Sequence, residues 1–241
     1  MQGFNWKDMI KGLIFDYGGT LDTGGNHWGK VIWHAYEELA VGVKEADFRE
    51  AYVHAERTLG KNPIIQSDYT FEQVLYTKIK IEMEHLVDMG CLKDISKHKE
   101  VADALYRFAR SNTQRSVETL KSLAEEYPMA LVSNFYGNVS VVLQEMGFEG
   151  LFRKVIESAA VGIRKPDSRI FALGVEALDM KPEEVLVVGD SMDKEIVPAK
   201  QIGCSTLWIK GEGWTNEETN EQSADGIICD ISQVKEFLNN N

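Results

Sequence analysis

Three short apolar runs, each closed by a polar side chain, restrict this chain to very few folds. Gly12-Leu13-Ile14-Phe15 runs into Asp16, Met129-Ala130-Leu131-Val132 into Ser133, and Val185-Leu186-Val187-Val188-Gly189 into Asp190. The apolar residues are consecutive rather than alternating, which suits strands buried on both faces, as in a parallel sheet with helices on either side. Segments of helical spacing lie between and after them: Val117, Leu120 and Leu123; Val139, Val142, Leu143 and Met146; Ile170, Phe171, Gly174 and Leu178. Weaker strands at 155–158, 206–209 and 226–229, with helices at 195–202 and 231–238, complete a repeating strand–helix pattern. The fold class expected is α/β, a doubly wound parallel sheet of Rossmann type.

One stretch departs from this alternation. Trp28, Val31, Ile32, Ala35, Tyr36 and Leu39 follow helical spacing, as do Phe48, Tyr52, Ala55 and Leu59 after a break at Gly42. Phe71, Val74, Leu75, Ile79, Met83 and Leu86 mark a third helix stopped by Gly90, and Val101, Leu105 and Phe108 a fourth. So long a helical block is too large for an ordinary crossover, and it reads as a helical domain inserted into the sheet domain. Residues 24–112 are assigned to the insertion, and 1–23 with 113–241 to the α/β core. Hinges are expected near Thr23 to Asn26 and near Ser111 to Thr113, where small or polar residues cross from one part to the other.

A formal net charge of −12 opposes a nucleic-acid or anionic-membrane partner, because excess carboxylates repel both. Cys91, Cys204 and Cys229 are widely spaced with no ligand-like cluster, so reduced, mostly buried thiols are expected rather than disulfides or zinc. Met1 to Lys11 carries no signal-peptide core and no later stretch has the length of a membrane span. The expectation is a cytoplasmic protein acting on a small molecule, with its oligomeric state left open.

In a parallel sheet Asp16, Ser133 and Asp190 all face the carboxyl edge of the strands, so residues more than a hundred positions apart converge there. Gly18 and Gly19 let the chain turn sharply after Asp16 and approach a ligand through backbone. The loop Gly162-Ile163-Arg164-Lys165-Pro166-Asp167 brings a lysine to the start of a helix. Two neighbouring carboxylates attract a hard divalent cation such as Mg2+, which also neutralises phosphate. Ser133, the Asn134 amide and Lys165 are candidates to hold phosphate oxygens.

These four elements, in this order and with a helical block after the first, resemble the motifs of the haloacid dehalogenase-like (HAD) hydrolases. The first motif corresponds to Phe15-Asp16-Tyr17-Gly18-Gly19-Thr20, the second to Leu131-Val132-Ser133-Asn134, the third to Arg164-Lys165-Pro166-Asp167 and the fourth to Val187-Val188-Gly189-Asp190-Ser191. The resemblance implies a core with a helical cap and catalytic residues Asp16, Ser133 and Lys165. Asp16 would be the nucleophile; Asp16, the Gly18 carbonyl and Asp190 would hold magnesium. Ser133, Asn134, Gly19 and Lys165 would bind substrate, and the Thr20 hydroxyl would order the turn.

Two departures from the family pattern stand out. Phosphatases of the family carry a second Asp two residues after the nucleophile as general acid and base, and here that residue is Gly18. General acid–base catalysis contributes about 10²–10⁴-fold. The second acidic residue of the fourth motif is Glu195, with Asp193 as its rival. Phosphonatases lack the acid/base Asp as well and cleave a carbon–phosphorus bond with a cap lysine. Dehalogenases also lack it, but they need no magnesium and do not carry the form Gly189-Asp190-Ser191. Asp22 and His27 are the nearby groups to weigh as substitutes, against a turn-capping role for Asp22 and a surface helix terminus for His27. Trp28, Trp33 and Tyr36 read as cap core, while Trp214 sits in the polar loop Glu212 to Ser223 as an exposed aromatic open to a partner chain. The function expected is a magnesium-dependent hydrolase of a small phosphorylated or phosphono compound. The alternative is a phosphate-binding protein of the same fold with attenuated catalysis.

Overall fold

The computed structural model describes residues 6–215 and 221–239. Parts of the N-terminal stretch and of the polar loop, to which expectations were attached above, lie outside the described residues. Six parallel strands form one sheet: β1 (Gly12–Phe15), β2 (Met129–Ser133), β3 (Lys154–Glu157), β4 (Val185–Gly189), β5 (Ser205–Ile209) and β6 (Gly226–Ile228). Their order is β3-β2-β1-β4-β5-β6. Pairing sets Phe15 beside Leu131 and Val188, so the ends of β1, β2 and β4 lie level at one edge.

Consecutive residues of β1 serve opposite faces, which is why the strand is apolar throughout. Leu13 and Phe15 join a cluster that runs on through the helical insertion, whereas Ile14 packs with Val132, Phe171 and Val187 on the other side. Each such fully buried side chain contributes about 1.5–3 kcal/mol.

The short α1 (Trp6–Met9) precedes β1. The insertion consists of α2 (Trp28–Glu38), α3 (Glu45–Lys61), α4 (Phe71–Asp88) and the first half of α5 (His98–Ala124). Thr70 caps α4 in a reciprocal pair with Gln73. Tyr17, from the turn after β1, ties the two parts together: its ring meets Phe71 of α4, Phe135 and Phe148 edge-on at 5.9–6.1 Å. The core continues with α6 (Val139–Met146), α7 (Ser158–Val161), α8 (Arg169–Leu178), α9 (Val197–Gln201) and α10 (Gln233–Asn239).

Where the sequence suggested two helices with a hinge at Ser111 to Thr113, the structure has one helix of 27 residues. No glycine or proline interrupts 98–124. The polar residues there bond back to their own helix, Asn112 Nδ2 to the Phe108 carbonyl at 3.0 Å and Thr113 Oγ1 to that of Arg110 at 3.1 Å. Val101 and Leu105 are buried on the cap side and Val117, Leu120 and Leu123 on the core side. All three cysteines are free, but only Cys204 is buried; Cys229 is exposed, in the turn after the edge strand β6. Among the described residues no helix is long and apolar enough to cross a membrane.

Candidate active site

Asp16 follows β1 and is held in line with β4 by its backbone amide, which donates to the Val188 carbonyl at 3.1 Å. Ser133 closes β2 and Asp190 follows β4, so the sheet delivers all three to one edge. Lys165 arrives from the loop before α8. Its Nζ lies 2.5 Å from Asp16 Oδ1 and 2.8 Å from Glu195 Oε1. Burial alone would weaken its charge, but the Asp16 and Glu195 carboxylates outweigh that and hold its pKa well up. The Asn134 side chain fixes this loop: Nδ2 donates to the Lys165 carbonyl and Oδ1 accepts from the Lys165 amide, at 3.1 and 3.0 Å. Sequence reasoning gave Asn134 only a backbone contact with substrate; its side chain positions Lys165.

The fourth motif resolves in favour of Glu195. A π-helical turn at Met192–Ile196 leaves Asp193 exposed and turns Glu195 inward, where Oε2 accepts from the Ser191 amide at 2.9 Å. Such turns add one residue per helical turn and recur at functional sites. Gly189 makes the room, since a Cβ there would lie 2.5 Å from Glu195 Cβ.

Thr20 does more than order a turn. Its hydroxyl stands 3.1 Å from Asp190 Oδ1 and 3.4 Å from Asp16 Oδ2, linking the two strand-end carboxyls. Gly19 borders the cavity, with its amide engaged within the loop by donating to Asp22 Oδ1 at 2.7 Å. Its role is space, for with φ at +100° a Cβ would sit 2.4 Å from Asp190 Oδ2. Both glycines line the cavity, but a Cβ on Gly18 would meet nothing within 4 Å.

Asp22 is fully buried. Its second oxygen accepts from Trp28 Nε1 at 3.0 Å, so the carboxyl braces the motif loop against the first cap helix, and burial raises its pKa to about 7. His27 caps α2 by accepting the Gly29 amide on Nδ1 at 3.0 Å, which places its proton on Nε2; burial lowers its pKa to about 4. It lines the cavity as a neutral donor. Trp28 also lines the cavity, unlike Trp33 and Tyr36, which pack on Phe48 as cap core. Trp214 packs on this chain's own cap. Its ring packs on His27 and Tyr52 at 5.2 and 4.8 Å, the Arg49 guanidinium lies 4.2 Å above it, and Arg49 Nη1 donates to its carbonyl.

Between core and cap lies a cavity of about 230 Å³. The Lys165 ammonium pairs with Asp16 and Glu195, Thr20 links Asp16 to Asp190, and burial beside the other two carboxyls raises the Asp190 pKa. This surplus of oxygen donors and negative charge fits a hard cation. Among the described residues no three His, Cys, Asp or Glu side chains close into a cage. Magnesium does not require one, since it keeps several waters and binds through one or two carboxylates plus phosphate.

A family model described as haloacid dehalogenase-like hydrolase matches residues 10–203. A glyceraldehyde 3-phosphate phosphatase of Methanothermobacter thermautotrophicus is 30% identical over 239 residues, covering 95% of this chain and 100% of that protein. Matches with further phosphatases of that description extend over only 38–55% of their length. Among solved structures, the putative HAD-hydrolase YfnB of Bacillus subtilis, bound to magnesium, aligns with a TM-score of 0.59 at 16% identity, over 96% of this chain and 100% of that one. A dehalogenase aligns with a TM-score of 0.66 at 19% identity, over 97% and 99%.

Proposed function

The chain belongs to the haloacid dehalogenase-like hydrolases, and we propose that it is a magnesium-dependent phosphatase of small phosphorylated compounds with Asp16 as nucleophile. The observation that carries this reading is the meeting of Asp16, Ser133, Lys165 and Asp190 at one sheet edge, with the Lys165 ammonium 2.5 Å from the Asp16 carboxylate. A Asp16 oxygen attacks phosphorus, the bond from phosphorus to the ester oxygen breaks, and an aspartyl-phosphate forms. Lys165 and Ser133 hold phosphoryl oxygens as charge redistributes. Water then attacks the intermediate, the bond to Asp16 breaks, and phosphate leaves. Asp16, the Gly18 carbonyl and Asp190 would hold magnesium, with Glu195 supporting Lys165. When bound, the ion neutralises phosphoryl charge and allows two carboxylates to sit close together.

Gly18 favours a second reading, a phosphate-binding protein with little turnover, because the residue that usually moves the proton has no side chain. Phosphate release from alkyl, aryl and acyl phosphates and from phosphonates, with and without magnesium, separates the two. Magnesium-dependent release that disappears in Asp16→Asn supports the phosphatase. Magnesium-dependent binding without release supports the alternative.

A further inference from the structure

On the cap side of the cavity stands a charged cluster that this chemistry leaves unused. Lys78 of α4 is only 7% exposed; its ammonium pairs with the Glu56 carboxylate of α3 and stands 4.7 Å from the centre of the Tyr52 ring. Burial opposes both charges, yet each partner holds the other ionised. Glu82, one turn beyond, is fully buried and kept neutral by that burial, its pKa raised to about 8, with the Tyr36 hydroxyl donating to it at 3.3 Å. Lys78, Glu56 and Tyr52 share the cavity with Asp16 and Ser133.

Packing gives no reason for this pair. Buried ion pairs seldom stabilise more than apolar residues of the same size, and Phe71, Val74 and Leu75 on the same wall show that α4 is otherwise apolar there. Set aside the strand-end carboxyls with their Lys165 and Glu195 partners, and the Asp22 brace. The charged groups left around the cavity are then Lys78, Arg164 and Lys194 against Glu56. The surplus is positive, and Lys78 and Glu56 stand on α4 and α3 rather than on the sheet edge that carries Asp16. The cavity, at about 230 Å³, falls below the roughly 300–1,000 Å³ typical of sites for larger ligands.

We propose that Lys78 and Glu56 form the leaving-group subsite, and that the substrate is a short phosphate monoester bearing a carboxylate beside a hydroxyl or ammonium. Lys78 receives the carboxylate, and Glu56 accepts from the neighbouring donor. Arg164 and Lys194 add attraction for a ligand with a second anionic group. This assignment rests on the phosphatase reading of the same cavity.

The test compares 3-phosphoglycerate with glycerol 3-phosphate, which share a skeleton and hydroxyl and differ only in carboxylate against alcohol. Binding to the full-length Asp16→Asn protein with magnesium is measured by calorimetry, so turnover does not intervene. The acid is expected to bind about ten-fold tighter or more, and Lys78→Met should erase the difference. Because that change strands Glu56, the charge-neutral double variant Lys78→Met/Glu56→Gln is measured beside it. Equal affinities in the starting protein, or a preference that survives in the double variant, overturns the assignment. Failure of the phosphatase reading shows separately, as absence of magnesium-dependent phosphate release from aryl and acyl phosphates by the wild type while the binding preference stands.

Discussion

Replacing Gly18 by Asp tests the mechanism at its weakest link, and the structure indicates that the change fits. Gly18 lies outside the left-handed region that only glycine adopts readily, and a Cβ there meets nothing within 4 Å. At such a position loss of glycine flexibility is neutral or stabilising by about 0.4–1 kcal/mol. Gly19 is the control that does not fit, because its Cβ would sit 2.4 Å from Asp190 Oδ2. A carboxyl at 18 would join Asp16 and Asp190 near a single Lys165, and like charge raises its pKa. That suits a group that must be protonated when the leaving group departs and ionised when water attacks. Wild type, without it, should hydrolyse aryl and acyl phosphates, whose leaving groups need no proton, and barely touch alkyl phosphates. Gly18→Asp should raise kcat/KM for alkyl phosphates by up to the 10²–10⁴-fold range of general acid–base catalysis, about 3–5 kcal/mol in the barrier. Aryl phosphates should gain far less. The assay is kcat/KM against leaving-group pKa for a series of monoesters at saturating magnesium, with quenched-flow trapping of the phosphoenzyme. An initial burst is expected in wild type, where breakdown of the intermediate lacks a base, and should shrink in the variant. If wild type shows no leaving-group dependence and no burst, another residue moves the proton and the reasoning from Gly18 fails. The His27 Nε2–H on the cavity wall would then be the next group to remove.

Asp190→Ala should abolish magnesium binding measured by calorimetry, and binding equal to wild type would remove Asp190 from the site. Glu82 makes stability depend on pH: its carboxyl titrates near 4.5 when unfolded and about 8 when buried. The folded state therefore holds the proton more tightly, and the contribution, fully present below about 4.5, is lost as pH rises to 8, by at most about 4 kcal/mol. Glu82→Gln should accordingly raise the thermal midpoint at pH 8 much more than at pH 5, and an equal shift at both would contradict the buried neutral carboxyl. Gly29→Ala should drive Trp214 from its seat, since a Cβ there would lie 2.2 Å from Trp214 Cζ3. A loss of about 1–3 kcal/mol in denaturant unfolding is expected, and unchanged stability would mean the loop yields without cost.

The sheet and the edge that carries the candidate site were legible because parallel strands buried on both faces write continuous apolar runs, and each run here ends on a candidate site residue. Glu195 was legible only as one of two acids, since a π-helical turn shifts the facing by one residue and leaves no signal in composition. Ser111-Asn112-Thr113 looked like a crossing loop because polar trios usually are, but their side chains bond within the helix. Lys78 and Glu56 lay hidden for the opposite reason: on amphipathic helices such charges read as a solvated face, and only packing shows that they point into a cavity. Trp214 depends on Arg49, 165 residues away, and no local pattern carries that contact.

The unbroken α5 limits how the cap can open. Twenty-seven hydrogen-bonded residues make a beam about 40 Å long, shared by both parts of the protein. Its interior has no backbone free to swing through large changes in φ and ψ. From the midpoint, one degree of bend carries the far end only about 0.3 Å, for a half-length of about 20 Å. Any opening of the cap that leaves α5 intact would place the conformational change in the other connection, residues 19–26. There Gly24 and Gly25 already hold φ at +66° and +91°. In such a motion the loop carrying Trp214 would slide across α2 and α3, and the two connections would be mechanically unequal, one a pivot and the other an axle.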